Sequence, residues 1–139
     1  MIVGVDPGAK GAVCGIDYET HEPEFCNIET FLDTTWDAEH IFIEKAQAMP
    51  GQGTVSMFNY GVGFGRILQK AHSVGVPYTL VHPRTWTKVM WAGTDSKLKP
   101  KQRSKQAAER LFPGVTFKGD GQIDAALIAE YGRRQLGNG

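Results

Sequence analysis

The sequence predicts an α/β fold, a mixed five-stranded sheet with helices on both faces. Short β-branched runs crowd the first 44 residues, strand and helix patterns alternate after them, and a long apolar helix pattern closes the chain. At 139 residues, 41% hydrophobic and 22% charged, the chain fits one domain over 1–139 with enough apolar material for a core.

Residues 2–6 (IVGVD) read as the first strand. Pro7-Gly8 and Gly11 bracket a turn, and 12–18 (AVCGIDY) reads as the second strand. A third strand falls within 24–30 (EFCNIET). The segment 31–40 (FLDTTWDAEH) is polar and irregular, and 40–44 (HIFIE) is a fourth strand ending on Glu44. Ala48–Gly53 reads as a loop. A helix is expected from about Tyr60 to Ser73, with Phe64, Ile67, Leu68 and Ala71 on one face and Gly75 ending it. VPYTLV (76–81) is the fifth strand. Pro83 opens a short helix, PRTWTKVM, because its fixed φ suits a first turn. A basic loop over 92–102 leads to a helix in 104–112, stopped by Pro113-Gly114. The last helix is expected from about Gly121 to Gln135.

No apolar run approaches the ~20 residues of a membrane span. The first residues, MIVGVDPG, lack the basic flank of a signal peptide. Cys14 and Cys26 fall in separate strand-like runs and read as free, buried thiols of a reducing compartment. The net charge of zero hides a split. Residues 1–44 hold ten acids and one base, Lys10; residues 45–118 hold twelve bases and two acids, Asp95 and Glu109. Such a chain can turn a basic surface toward a polyanion, or simply present two solvated faces of opposite sign.

Four carboxylates stand out. Asp6 ends the first strand and Glu44 the fourth; if those strands are parallel neighbours, both project at the carboxyl edge of the sheet, where sites in open α/β sheets form. Asp120 and Asp124 share one face of the last helix. Four such groups close together need protons or metal. Hard oxygen ligands favour Mg²⁺ or Mn²⁺, and two ions ~3.5–4 Å apart would serve an in-line displacement at phosphorus. Each acid also has a plain reading: Asp6 as a turn residue, Glu44 as a lysine partner, Asp120 as a helix cap. Asp124, set against Ala125, Ala126, Leu127 and Ile128, is the hardest to explain without function.

In chain order, "VGVDPGAKGAV", "IEKAQAMPGQG" followed by "FNYGVGFG", "PYTLVHPRTWTK" and "DGQIDAALIAEYG" resemble the RuvC-like Holliday junction resolvases, in their small stand-alone phage, bacterial and organellar branch. The resemblance runs from residue 1 to about 132. It implies an RNase H-like fold, from which this chain departs: relatives usually have a full helix between strands three and four, and 31–40 is too short for one, so that helix is expected shortened or absent. It implies a homodimer in the cytoplasm of a bacterial or phage-infected cell. Its activity would be paired symmetric nicks in four-way DNA junctions that leave 5′-phosphate and 3′-hydroxyl ends. It assigns Asp6, Glu44, Asp120 and Asp124 to catalysis and metal binding. Some relatives space the final pair by three; here Gly121 occupies that position and Asp120 lies one residue further back.

On that reading the basic half meets DNA. Arg66, Arg84, Lys88, Lys97, Lys99, Lys101, Arg103 and Lys105 would neutralise phosphates, a contribution that gives affinity with little sequence information. Lys88 and Lys105 resemble family lysines near the scissile phosphate and would also stabilise transition-state charge. Phe58, Asn59 and Tyr60 would reach the junction crossover, where an aromatic stacks on an unpaired base; the plainer role is a hydrophobic staple. "GVGFG" fails a nucleotide-loop pattern and suits close approach of DNA or a partner helix. Trp36, Trp86 and Trp91 read as core or interface residues. The competing functions are a nuclease for flaps, branched replication intermediates or RNA–DNA hybrids, and a non-catalytic junction-binding module. An actin-like ATP-binding protein needs a two-domain cleft for which 139 residues leave no room.

Overall fold

The computed structural model describes residues 1–34, 37–45, 47 and 50–137. Trp36 and part of the loop expected over Ala48–Gly53 lie outside them. Five strands form one mixed sheet: β1 (Ile2–Asp6), β2 (Ala12–Ile16), β3 (Pro23–Cys26), β4 (His40–Glu44) and β5 (Tyr78–Val81), in the order β3-β2-β1-β4-β5. β1, β2 and β3 are joined antiparallel, whereas β4 runs parallel to both β1 and β5. The helices are α1 (Ile28–Asp33), α2 (Thr54–Ser73), α3 (Pro83–Met90), α4 (Pro100–Leu111) and α5 (Asp120–Gly137).

The central strands are apolar on both sides because both sides are covered. On one side Ile2, Phe42 and Val81 pack with Trp86, Met90, Ala107, Ala108, Ile123, Leu127 and Ile128 of α3, α4 and α5. On the other, Val3, Val5, Ile41 and Ile43 pack with Phe31 of α1 and with Ile67 and Ala71 of α2. Pleating then decides the site. Ile2, Gly4 and Asp6 alternate toward α5, as do Phe42 and Glu44 in the neighbouring strand. The register pairs Gly4 with Phe42 and Val5 with Ile43, which brings Asp6 level with Glu44.

α5 lies unusually close to β1. A Cβ on Gly4 would overlap the Ala125 carbonyl oxygen and the Ala129 amide nitrogen. The small residues on both surfaces therefore let the two backbones approach, and this fixes the height at which Asp124 meets the strand end. α3 is capped by His82, whose Nδ1 accepts from the Arg84 amide at 3.1 Å, with Pro83 in its first turn.

Several boundaries differ from expectation. α2 starts at Thr54, not near Tyr60, so Phe58, Asn59 and Tyr60 are helical. Gly61, Gly63 and Gly65 do not break it: each glycine costs about 1 kcal/mol in a helix interior, and Ile67 and Ala71 anchor the later turns in the core. α4 starts at Pro100, which makes Lys101, Arg103 and Lys105 helical residues rather than parts of a loop. β3 ends at Cys26 because Asn27 caps α1, its side chain accepting from the Thr30 amide at 2.8 Å. The segment expected to be irregular over 31–40 thus begins inside a six-residue helix, the shortened inter-strand element. β5 is confined to Tyr78–Val81. Cys14 and Cys26 are free thiols, but only Cys14 is buried as expected; Cys26 is part-exposed because β3 is an edge strand. Among the described residues no helix is long and apolar enough to cross a membrane.

Candidate active site

Asp6, Glu44 and Asp124 come from β1, β4 and α5 and meet at the carboxyl edge of the sheet. Their mutual influence appears in their acidity. Burial raises the Asp6 carboxyl above its ordinary range, opposed by a hydrogen bond from the Gly8 amide to Oδ1 at 3.2 Å. Burial also raises Glu44; the Trp86 indole N–H donates to its Oε2 at 2.6 Å and opposes the rise, while the charge of Asp6 adds to it. Asp124 is affected most. Burial, then Asp6 and Glu44, push its carboxyl up to about 7, against a hydrogen bond from Ser104.

Asp120 stands apart. It is exposed, it occupies the first turn of α5 rather than the flanking cap position, and its Oδ2 lies 3.5 Å from the Lys101 ammonium. Its charge still adds to the rise at Asp124. The four-residue spacing has a steric cause. A Cβ on Gly121 would overlap the carbonyl oxygen of Lys10, so no acid fits there while α5 packs on the β1–β2 turn.

Asp120 and Asp124 border a small cavity with Trp86, Thr87, Trp91, Lys101, Ser104 and Ile123. Lys101 thus stands on the wall of this cavity beside Asp120. Lys88 and Lys105 are exposed on α3 and α4 and do not line this cavity. Tyr60 lies on the opposite flank: burial and the charges of Glu44 and Asp6 push its hydroxyl up to about 12. With Asn59 and Arg66 it lines a larger cleft that runs past Pro7, Gly8 and Gly11. Phe58 is exposed on α2.

The basic residues divide. Arg84, Lys97 and Lys99 are exposed. Arg66 makes a two-point pair with Glu29 at 2.8 and 3.1 Å. Arg103 is half-buried, stacked over Trp91 at 5.0 Å and donating to Thr94 Oγ1 at 3.0 Å. The first group is free for a polyanion, whereas Arg103 is engaged inside the protein. The sequence reads Trp86 and Trp91 as core or interface residues, and Trp86 is in the core; their hydrogen bonds, to Glu44 and to Ser104, are not visible in it. For Ser104 a signal existed: Ser104, Ala107, Ala108 and Leu111 repeat at helical spacing along the inward side of α4, which leaves a buried hydroxyl in need of a partner.

The donor set of hard carboxylate oxygens fits a divalent cation such as Mg²⁺, and the raised pKa of Asp124 marks a cluster short of positive charge. Among the described residues, no three His, Cys, Asp or Glu side chains converge closely enough to enclose a cation by themselves. A cation there would complete its shell with water and phosphate oxygens, as Mg²⁺ does.

No family model and no curated protein matches the sequence. Solved structures do match in shape. The structure described as T. thermophilus RuvC in complex with Holliday junction substrate superposes with a TM-score of 0.70 at 14% identity, over 97% of this chain and 96% of that one. A second Thermus thermophilus RuvC structure gives 0.68 at 16% identity, over 98% and 97%. The chain has the RNase H-like fold of the RuvC structures, spanning nearly the whole of both molecules.

Proposed function

We propose that this protein is a metal-dependent DNA endonuclease that cuts four-way junctions, acting as a homodimer with two symmetric nicks. The observation that carries the reading is the meeting of Asp6, Glu44 and Asp124 at one sheet edge, each carboxyl raised by burial and the last by the other two. Such a concentration of acid is poorly suited to binding phosphate unless a cation intervenes. The fold likeness to a RuvC bound to a Holliday junction supports the substrate.

Asp6, Glu44 and Asp124 would hold Mg²⁺, or Mn²⁺ in its place, with Asp120 at the rim, and a second ion would join the first. Bound there, the metal supplies an activated water and stabilises charge on the phosphate oxygens. Lys101, on the wall of the same cavity, stands where developing negative charge would be met. Tyr60, Asn59 and Arg66 line the cleft on the far side of Asp6 and would guide the DNA strand. Lys97, Lys99, Lys88, Lys105 and Arg84 would contact phosphates at longer range. A second copy would cover apolar residues that α2 exposes, Val55, Phe58 and Val62.

The test is cleavage of a synthetic four-way junction with and without Mg²⁺, with nicks mapped, beside a flap, a duplex and an RNA–DNA hybrid. Paired nicks only in the junction, only with Mg²⁺, are expected. Asp6→Asn, Glu44→Gln and Asp124→Asn should each lose cleavage while keeping junction binding. Preference for a flap or hybrid would redirect the substrate; binding without cleavage of any substrate would leave a junction-binding module. Sedimentation of the free protein reads the dimer.

A further inference from the structure

The segment from β5 to α4 contributes no carboxylate to the candidate site, yet it holds two of them. α3 turns Trp86 inward, 2% exposed, with its indole N–H on Glu44. Just past the end of α3, Trp91 donates its own indole N–H to Ser104 Oγ at 2.9 Å. An indole N–H can only donate, so Ser104 must accept from it. The single hydroxyl proton is then left for the Asp124 carboxylate, with which Ser104 interacts. The two indoles meet edge to face with centroids 6.5 Å apart, and Arg103 covers Trp91. Glu44 on β4 and Asp124 on α5 are thus tied to one aromatic pair.

We propose that Trp86, Trp91 and Ser104 are positioning residues that set the spacing and orientation of the Glu44 and Asp124 carboxylates for a divalent cation. Packing alone does not call for this arrangement. Phenylalanine would fill much of the same space, whereas each indole N–H here ends on a carboxylate or on the hydroxyl that serves one. Partners of this kind, one shell out from a ligand, typically change metal affinity or activity by roughly 10–100-fold when removed. The inference rests on the nuclease reading for its activity readout, but not for its cation readout.

The experiment uses the full chain carrying Trp36→Phe, so that only Trp86 and Trp91 emit. Mg²⁺ alone is titrated, without DNA, and tryptophan emission gives the midpoint. Trp86→Phe, Trp91→Phe and Ser104→Ala are then added singly, with thermal melting and metal-free junction affinity measured alongside. The expected result is a Mg²⁺-dependent emission change whose midpoint rises about 10-fold or more in each folded variant. The Mg²⁺ requirement for cleavage should shift equally. Unchanged midpoints in folded variants overturn the proposal, as does the absence of any Mg²⁺ response in the parent. If one variant fails to fold, the other two decide. If the midpoints shift as expected but no substrate is cut, the nuclease reading fails and the positioning role stands.

Discussion

Asp124 leaves the apolar stripe of α5 at a point where burial, Asp6 and Glu44 hold its carboxyl up at about 7, against an ordinary 3.8. The folded protein therefore favours the protonated acid more than the unfolded chain does. Without a cation, the contribution of Asp124 to stability is fully present below pH ~3.8, declines as pH rises, and is lost above about 7. Asp124→Asn removes that burden. In EDTA the variant should match the parent near pH 4 and exceed it at pH 8 by on the order of 2–4 kcal/mol, the gap opening between those values. Thermal melting across the range checks this, and a constant offset at both ends would argue against the crowding of charge. Gly121 offers a second residue-scale test. Gly121→Asp, which restores the three-residue spacing, should cost roughly 1–3 kcal/mol in melting experiments and should not rescue Asp120→Asn, because the Lys10 carbonyl occupies the space. The three acids were legible because their positions are local facts: two strand ends and an acid in an apolar helix turn. Trp86 and Ser104 were not, because their meaning depends on partners at remote positions, Glu44 lying 42 residues from Trp86.

At the scale of elements, β1, β4 and α3 matched their predicted bounds because each is punctuated: an apolar β-branched run with a turn signal, or a proline in a first turn. α2 and α4 start earlier than the sequence predicts, for opposite reasons. Glycines in α2 mimic a loop, while Pro100 reads as a loop residue before α4 although it is the first residue of the helix. The C-terminal half of α5 carries an element the sequence did not reveal. Glu130, 1% exposed, accepts from Arg133 at two points of 2.9 Å and from Arg134 at 3.1 Å, and meets His21 Nε2 at 2.5 Å. His21 lies in the turn after β2, at the end of the sheet opposite Asp6. Burial alone would raise the Glu130 carboxyl, but the bonds from Arg133, His21 and Arg134 outweigh it and hold it low. Its contribution is thus present above the unfolded value of about 4.5 and fades as pH falls through the lower folded value. Glu130→Ala should cost roughly 1–3 kcal/mol at neutral pH, since it leaves the part-exposed Arg133, Arg134 and His21 without their shared acceptor. The loss should shrink in acid. Denaturant melts at pH 7 and pH 3 check both, and cleavage per folded molecule should be little changed, because the cluster sits away from the three acids.

Across the whole molecule the net charge is zero, but its halves are not interchangeable. The acids of residues 1–44 include both strand-end carboxylates, and the bases of 45–118 belong mostly to α2, α3, α4 and the loop before α4. On the proposed function, this separation would let a polyanion approach along the helices while a cation occupies the sheet edge. If it does, the exposed lysines should act as a group and the engaged arginine should not. Replacing Lys97, Lys99 and Lys105 together by alanine should weaken junction binding, and the dependence of log K on log salt should become shallower by up to about 0.9 for each lysine that meets a phosphate. Cleavage at saturating protein should persist, because none of the three lines the cavity beside Asp124. Arg103→Ala should behave differently. It uncovers Trp91 and frees Thr94, so it should lower stability and the cleavage rate while leaving the salt slope near that of the parent. Filter binding from 50 to 300 mM salt, run beside single-turnover cleavage, separates the two cases. A steepness lost with Arg103 and kept without the three lysines would place the DNA on a different face of the molecule.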